Sequence, residues 1–337
     1  MSPKAWRGVL DDYSKPRLGR SLLDLLTSVV PYLGLVVAMY YLQQVSAALA
    51  LLLVLPAAGF LIRTFIVFHD CTHRSFLRSK RANDMLGAAL GLLVLLPYRS
   101  WQHEHAVHHA TAGDLDRRGV GDIATLTVSE YTDLSPLSRL GYRLFRNPIV
   151  MFGLGWVLVL GLKPRWVPRG TSRSVRNSIL ATNAVLAVMI AVLCLTLGWQ
   201  TFLLLQIPIW AVAGAAGIWL FYVQHQFEGT YWRTHDAWRY DQAALEGSSY
   251  LKLPRVLQFF TGNIGFHHVH HLSVGVPNYN LPSAHEATER HYPVPQLTIR
   301  DGLRATRLKL WDDRQGALVT FRDARAQRAS LPAVLSE

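Results

Sequence analysis

Long runs of apolar residues dominate the pattern of this chain. Four of these runs are 21 to 23 residues long, and as helices they would measure ~32–35 Å, which matches a hydrocarbon core of ~30 Å. Asp24 lies near the start of the first run. Arg63 lies about five residues from the end of the second, where its side chain could snorkel to the interface. The pattern predicts membrane-spanning helices at 21–43, 46–68, 178–198 and 201–223.

Two further apolar runs are too short to cross a bilayer as helices. Residues 85–98 and 148–162 comprise 14 and 15 residues, which reach only ~21–23 Å. This length fits re-entrant helices, or helices that lie in the membrane interface, better than full spans.

The basic residues are confined to one set of connections. The links at 44–45 and 199–200 carry no charge, whereas both ends of the chain, residues 69–147 and the loop 163–177 carry almost all of the Lys and Arg. If only the four long runs cross, every basic segment falls on the cytoplasmic side by the positive-inside rule. We therefore expect an all-α integral membrane protein in which two helical hairpins, together with interfacial helices, are rooted in a cytoplasmic helical cap.

This topology divides the chain into three parts. Residues 1–20 are expected to form a basic cytoplasmic tail, and residues 21–300 the membrane domain with its cap. Residues 301–337 are expected to form a charged C-terminal tail whose last stretch is disordered. Both termini would then be cytoplasmic.

Composition and charge agree with a membrane protein. Half of the 337 residues are hydrophobic and 17% are charged, a more apolar balance than that of a typical soluble domain. A soluble helical bundle is the alternative, but two pairs of such long runs, each joined by a two-residue link, would be unusual in a soluble core. The net charge of +12 suggests anionic lipid headgroups, nucleic acid or an acidic protein as a partner. No nucleic-acid-binding motif accompanies this charge, so no nucleic-acid partner is expected.

Most of the 14 histidines fall into three clusters. The spacing within each cluster, i, i+4 in the first and i, i+3, i+4 in the other two, places the side chains on one face of a helix. These positions are His69 and His73, then His105, His108 and His109, then His267, His270 and His271. His225 lies just after the fourth long run. On the four-span topology all of them lie at the cytoplasmic membrane surface.

Crowded imidazoles indicate a metal site. Protonated rings would repel one another, and each ring has two polar nitrogens to satisfy, whereas a metal ion binds neutral imidazole and removes both problems. Eight or nine ligands at about four to six per ion favour two ions. An imidazole shell suits Fe, Zn, Cu or Ni, and the chain has no Cys-rich set typical of structural zinc. Two irons for oxygen chemistry on lipids are favoured, with zinc-dependent hydrolysis left open.

The order of the three clusters resembles the integral-membrane fatty acid desaturase family. H-x-x-x-H, H-x-x-H-H and H-x-x-H-H occur in that order, with paired spans between the second and the third. The sequences around the clusters resemble the bacterial and plant acyl-lipid branch near the omega-6 (Δ12) enzymes. These segments are "FHDCTHRSF", "HHATAGDLDRRGVGDI", "YVQHQFEGTYW" and "GNIGFHHVHHLSVGVPNYNL". The resemblance covers about residues 40–290. It implies a di-iron centre, O2 as oxidant, electrons from ferredoxin or cytochrome b5, and a kinked tunnel for an acyl chain.

The resemblance also implies roles for individual residues. The metal ligands would be His69, His73, His105, His108, His109, His225, His267, His270 and His271. Residues expected around these ligands are Asp70, Asn263, His268 and Glu228, and further acidic candidates are Glu104, Asp114, Asp116 and Asp122. Trp101, Tyr231 and Trp232 would line the substrate entrance. His103, His235, His285 and His291 are expected to be ordinary surface or structural residues.

One position departs from the pattern of some relatives. They hold a water on one iron through an asparagine one turn before the ninth histidine, but position 221 is Phe here. Asn263, one turn before His267, could hold that water instead.

The predicted reaction is the insertion of a cis double bond into an acyl chain that is linked to a lipid, CoA or a carrier protein. A hydroxylase or ketolase on the same scaffold, acting on alkane or carotenoid, is the nearest alternative. A membrane metal transporter is a rival of another class, but its ligands should lie within the spans near the midplane, whereas the clusters here lie outside them.

Overall fold

The structure, a computed structural model, describes residues 3–330. Most of these residues are helical. Four of the helices are long and apolar enough to cross a membrane, which confirms the predicted all-α membrane fold. The last stretch, 331–337, for which disorder is expected, lies outside the described residues. The helices are α1 Pro3–Leu10, α2 Leu18–Val45, α3 Ala47–Leu52, α4 Val54–His73, α5 Lys80–Leu93, α6 Tyr98–Thr111, α7 Val128–Asp133, α8 Pro136–Phe145, α9 Arg173–Leu197, α10 Trp199–His225, α11 Tyr240–Leu245, α12 Arg255–Phe260, α13 His267–Leu272, α14 Leu281–Glu289, α15 Ile299–Ala305 and α16 Phe321–Ser330.

The four span candidates are α2, α4, α9 and α10. Gly198 joins α9 to α10 with a φ of 84°, a backbone conformation that glycine adopts without a steric penalty. The second span begins later than predicted, because the chain breaks at Leu53 and α3 is a separate short helix. Both α4 and α10 continue past the predicted runs to end at His73 and His225. The last turns of these two helices therefore carry candidate metal ligands.

Arg63 does not snorkel to the interface, and that expectation was wrong. Its side chain is buried in the interior between α2 and α4, where it forms an ion pair with Asp24. A second guanidinium nitrogen donates a hydrogen bond to the backbone carbonyl of Phe259. The position of Arg63 along its helix suggested snorkelling, but an acid on the neighbouring helix provides a partner inside the membrane domain.

The two short apolar runs adopt helical structure. Residues 85–98 supply the end of α5 and a tight turn before α6, in which Leu95 has a φ of 61°. Residues 148–162 form the π-helical stretches Ile149–Leu154 and Val157–Leu162. This second segment is bent by 63° from α8, as in a broken span or a re-entrant loop.

The cap contains two small sheets besides its helices. The strands are β1 Leu126–Thr127, β2 Tyr250–Leu251, β3 Gln296–Leu297, β4 Leu310–Asp312 and β5 Ala317–Val319. β1 pairs in parallel with β4, and β4 pairs antiparallel with β5, with Leu126 opposite Leu310. β2 pairs in parallel with β3.

Segments near both ends of the described residues pack against the cap where tails are expected. Trp6 and Leu10 of α1 are buried in one core with residues of α13 and α14. At the other end, Trp311 and Leu310 are buried in β4. The C-terminal segment carries many charges, but the hairpin of β4 and β5 buries Leu310, Trp311, Leu318 and Val319 and pairs with β1.

Candidate metal centre

The ends of four helices meet at the base of the cap. α4 and α10 arrive from the membrane with His69, His73 and His225, while α6 and α13 belong to the cap and carry the other two histidine clusters. The i, i+4 spacing of the first cluster and the i, i+3, i+4 spacing of the other two keep the histidines of each cluster on the inner face of its helix. All nine histidines that the family pattern selects are brought together here.

Five histidines form the first group. Each offers one ring nitrogen, and these nitrogens lie within 4.8 Å of one another. The members of the first group are His69, His73, His105, His109 and His270. Nε2 of His105 lies 3.0 Å from Nε2 of His69 and also 3.0 Å from Nε2 of His109. Nε2 of His270 lies 2.9 Å from Nε2 of His109.

The other four histidines form the second group, with the same limit of 4.8 Å between their nitrogens. The members of the second group are His108, His225, His267 and His271. Nε2 of His225 lies 3.1 Å from that of His108 and 2.9 Å from that of His267. Nε2 of His271 lies 3.1 Å from that of His267.

A simple rule divides the histidines between the groups. In each triplet the i, i+4 pair enters one group and the i+3 histidine enters the other, so that α6 contributes two ligands to the first group and one to the second, and α13 does the reverse. Successive residues of a helix are rotated by ~100°, so the i+3 and i+4 side chains lie on either side of the first. Each triplet therefore lies between the two groups and supplies ligand candidates to both.

Hydrogen bonds at the outer ring nitrogens fix where the protons lie. Nδ1 of His108 is 2.5 Å from a carboxylate oxygen of Asp122, and Nδ1 of His225 is 3.2 Å from the carbonyl oxygen of Gly247. Both partners are acceptors, so each ring carries its proton on Nδ1 and leaves a lone pair on Nε2. Two lone pairs that face each other at 3.1 Å repel unless a cation lies between them.

The spacing of the nitrogens fits a metal ion. Two nitrogens that are each ~2.1 Å from one ion, at right angles, are ~3.0 Å apart, and the Nε2–Nε2 distances in both groups are 2.9 to 3.1 Å. Nε2 of His73 is buried without a hydrogen-bond partner among the described residues, within the first group. The two groups therefore offer ligand sets of five and four that suit metal ions.

Burial keeps the rings neutral. It lowers the pKa of His105, His109 and His270 well below the usual range of histidine, and the neighbouring rings lower it further. The same causes lower the pKa of His267 and His271. Neutral imidazole is the form that binds metals, so the site is ready to accept ions at neutral pH.

Two of the predicted acidic neighbours contact ligand candidates. Asp122 contacts His108, as described, and a carboxylate oxygen of Asp70 lies 3.3 Å from Nδ1 of His69. Such contacts orient a ring and select its tautomer. The carbonyl of Gly247 does the same for His225 and was missed, because a backbone acceptor leaves no mark in the residue types.

The other expected neighbours lie elsewhere. Glu104 pairs with Lys163, Asp114 contacts Arg117 and His235, Asp116 accepts from the backbone of His235, and Glu228 is exposed. The side-chain amide of Asn263 donates to the carbonyl of Asn278, at 3.2 Å. His268 turns away from both groups to contact His285, at 3.1 Å. His103, His235 and His291 are exposed.

Aromatic rings pack against histidines of both groups. Trp101 stacks on His105 with ring centroids 4.2 Å apart. The ring of Phe221 lies 5.1 Å from that of His108 and 5.4 Å from that of His225, so an apolar side chain covers the second group at this departure from the family pattern. Trp232 and Phe221 line a small cavity beside His225, while Tyr231 is buried and donates to the carbonyl of Ala237.

Comparison with known proteins identifies the relatives of this chain. The model of the fatty acid desaturase family matches residues 44–302. A fatty acid desaturase of Bacillus subtilis is 47% identical over 95% of this chain and 91% of its own length.

More distant relatives carry more specific names. An sn-1 oleoyl-lipid 12-desaturase of Synechocystis is 27% identical over 68% of this chain and 65% of its own length. A chloroplastic omega-6 fatty acid desaturase of Brassica napus is 28% identical, again over 68% of this chain, but over 51% of its own length. The matched region therefore spans between half and two thirds of these two longer relatives.

Proposed function

The chain belongs to the fatty acid desaturase family, and from this premise we propose that it inserts a cis double bond into the acyl chain of a lipid. The observation that carries the proposal is the meeting of two histidine groups at the ends of apolar helices. In this proposal the acyl chain reaches the site from the apolar side of these helices. In the proposed reaction a –CH2–CH2– unit, O2, two electrons and two protons give –CH=CH– and two waters.

We propose one iron in each histidine group. The first would be held by His69, His73, His105, His109 and His270, and the second by His108, His225, His267 and His271. Such a centre, when bound and reduced, supplies the oxidising power that an unactivated C–H bond requires. The neutral rings and the carboxylates of Asp70 and Asp122 provide basic, oriented ligands for it.

The protein's own side chains prepare the site for the substrate. Trp101 and Phe221 cover the histidines with apolar surface, which excludes water from the reacting carbon atoms. In this proposal the depth to which the acyl chain enters selects the position of the double bond. The names of the more distant relatives favour an oleoyl chain on a glycerolipid as substrate.

Expression in a host that lacks the activity tests the proposal. Cells that also supply ferredoxin or cytochrome b5 should accumulate a fatty acid with one additional cis double bond. Gas chromatography with mass spectrometry of derivatives that report double-bond position would identify the product, and the empty vector is the control. A hydroxylated or keto product would instead assign the chain to the alternative chemistry on this scaffold.

We propose that the cap, the histidine groups and both termini are cytoplasmic, because the basic segments then follow the positive-inside rule. An acidic electron carrier would meet the net charge of +12 on the same side. Val45, at the end of α2, and Val120, in the loop after α6, are 79% and 44% exposed. Their cysteine variants should react with an impermeant maleimide from opposite sides of the membrane.

The labelling is best done in a Cys194→Ser background, since the other native cysteine, Cys71, is buried. In intact spheroplasts Val45→Cys should label, and Val120→Cys should label only after permeabilisation. Labelling of both from one side would show that the number of crossings between them is even, contrary to the proposed topology.

A further inference from the structure

A chain of buried polar side chains runs from the membrane interior to a ligand of the first group. We propose that Arg63, Asp24 and Asn278 are positioning residues, which hold Asp70 and thereby the ring of His69 in the orientation that metal binding requires. The inference rests on the proposed metal centre. It deepens that proposal by assigning a role to an intramembrane ion pair.

The contacts form a continuous path. Arg63 of α4 pairs with one carboxylate oxygen of Asp24 of α2. The side-chain amide of Asn278 donates to the other oxygen of Asp24 at 2.8 Å and to Oδ2 of Asp70 at 2.9 Å. The backbone N–H of Asn278 donates to the same Oδ2 at 2.7 Å. Oδ1 of Asp70 then faces Nδ1 of His69, at 3.3 Å.

Asn278 determines the direction of the Asp70 carboxylate. Asp70 is adjacent to His69 in sequence, and a free carboxylate on α4 could rotate away from the imidazole. Two donors from Asn278 hold Oδ2 and leave Oδ1 towards the ring. A carboxylate in that position accepts the Nδ1–H of His69 and leaves Nε2 for the metal, as Asp122 does for His108.

The burial of the path argues against a purely structural role. Asp24, Asp70 and Asn278 are 5%, 2% and 1% exposed. Taking charges out of water is costly, and well-packed apolar residues in place of a buried ion pair are often as stable or more stable. Buried ionisable residues in helices that can span a membrane, as Asp24, Arg63 and Asp70 are, therefore indicate a function.

Arg63 also connects the path to the segment that leads into the third histidine cluster. It donates to the carbonyl of Phe259 in the last turn of α12, and its guanidinium lies 4.1 Å from the centroid of that ring. The same carbonyl also accepts from the backbone N–H of Gly262, at 3.2 Å, so Arg63 adds a side-chain donor to this helix end. The next ring, Phe260, packs so closely on Gly59 that a Cβ there would lie 2.7 Å from it. Arg63 thus anchors α12 against α4, shortly before α13 begins.

Iron release from the purified full chain tests the role of Asn278. Protein loaded anaerobically with Fe2+ would be mixed with ferrozine, and His73→Ala would identify which ion belongs to the first group. Asn278→Ala should bind that same ion 10- to 100-fold more weakly and keep the other ion as in the native protein. Asp24→Asn preserves the size of the side chain and should weaken the binding of the same ion to a smaller degree.

Asn280→Ala is the matched control. Asn280 lies in the same turn and is buried, but it contacts Arg17 and the carbonyl of Tyr13 and not Asp70. Equal iron retention in Asn278→Ala and Asn280→Ala, or equal loss of both ions in Asn278→Ala, would overturn the inference. If Asn278→Ala does not elute as a folded species in detergent, the retention of each ion in Asp24→Asn is compared with that in Asn280→Ala instead. Because iron is counted directly, a native chain that binds two ions but makes no unsaturated product would refute the proposed reaction and leave this inference standing.

Discussion

Replacing His105 by alanine is expected to abolish desaturation while the protein still accumulates in the membrane. His105 lies at the centre of the first group, with Nε2 3.0 Å from Nε2 of both His69 and His109. Loss of this ligand should lower the iron content from about two ions per chain, one for each group, towards one. Product formation should fall by at least ~100-fold, since even the loss of a residue behind a ligand costs ~10–100-fold. The spans supply the insertion energy, so membrane content should not change.

His103→Ala is the matched control for this variant. His103 lies on the same helix α6, two residues earlier, but is exposed, so its removal should change neither iron nor product. His268→Ala should keep measurable activity, because His268 contacts His285 and not the two groups. Iron by mass spectrometry, fatty acid profiles and membrane content should be measured on all three variants. Native product levels in His105→Ala would remove this residue from the ligand set.

Arg146→Ala is expected to lower the free energy of unfolding by at least ~3 kcal/mol, because each buried acceptor left unsatisfied costs ~1–3 kcal/mol. Arg146 is fully buried in the cap and is bonded to neutral acceptors on three segments. These acceptors are the carbonyls of Ala124 and Leu308, the hydroxyls of Thr125 and Tyr222, and the side-chain carbonyl of Gln226. The guanidinium thus connects the loop before β1, the end of α10 and the segment that leads into β4.

Thermal unfolding in detergent and limited trypsin digestion would measure this effect. The melting temperature should fall by about 5 °C or more, and cleavage at the exposed Arg314, in the turn between β4 and β5, should become faster. Arg143, one turn earlier on α8, is exposed and donates a single hydrogen bond to Tyr131. Arg143→Ala should cost only ~1 kcal/mol. Equal stability of the two variants would mean that the C-terminal segment is not held by Arg146.

The spans and the ligand candidates could be predicted because each depends on a local pattern. The thickness of the bilayer sets the length of an apolar run, so four runs of the right length predicted four helices of the right type. The 3.6-residue period of the helix sets which histidines share a face, so the i, i+3, i+4 spacing selected residues that the fold does bring together. Both inferences depend only on residues that are close together in the sequence, within a single helix.

The residues around the ligands could not be chosen in the same way. Asp114 is closer than Asp122 to the second histidine cluster in the sequence. Yet only Asp122 contacts a ligand candidate, whereas Asp114 contacts Arg117 and His235. Which acid reaches a ring depends on how the loop after α6 folds against α10. The C-terminal segment is a similar case, since its charge suggested a tail and its buried strands are evident only when β1 is alongside.

The sequence by itself determined the family, the four apolar helices and the nine clustered histidines, because bilayer thickness and helical period act along the chain. Only the tertiary structure decided that these histidines divide into five and four. It also decided that Arg63 finds Asp24 inside the membrane domain, and that Asn278 connects this pair to Asp70. These relations join residues that are 39 to 254 positions apart. The packing of distant elements brings them together, and no periodic pattern in the sequence records that packing.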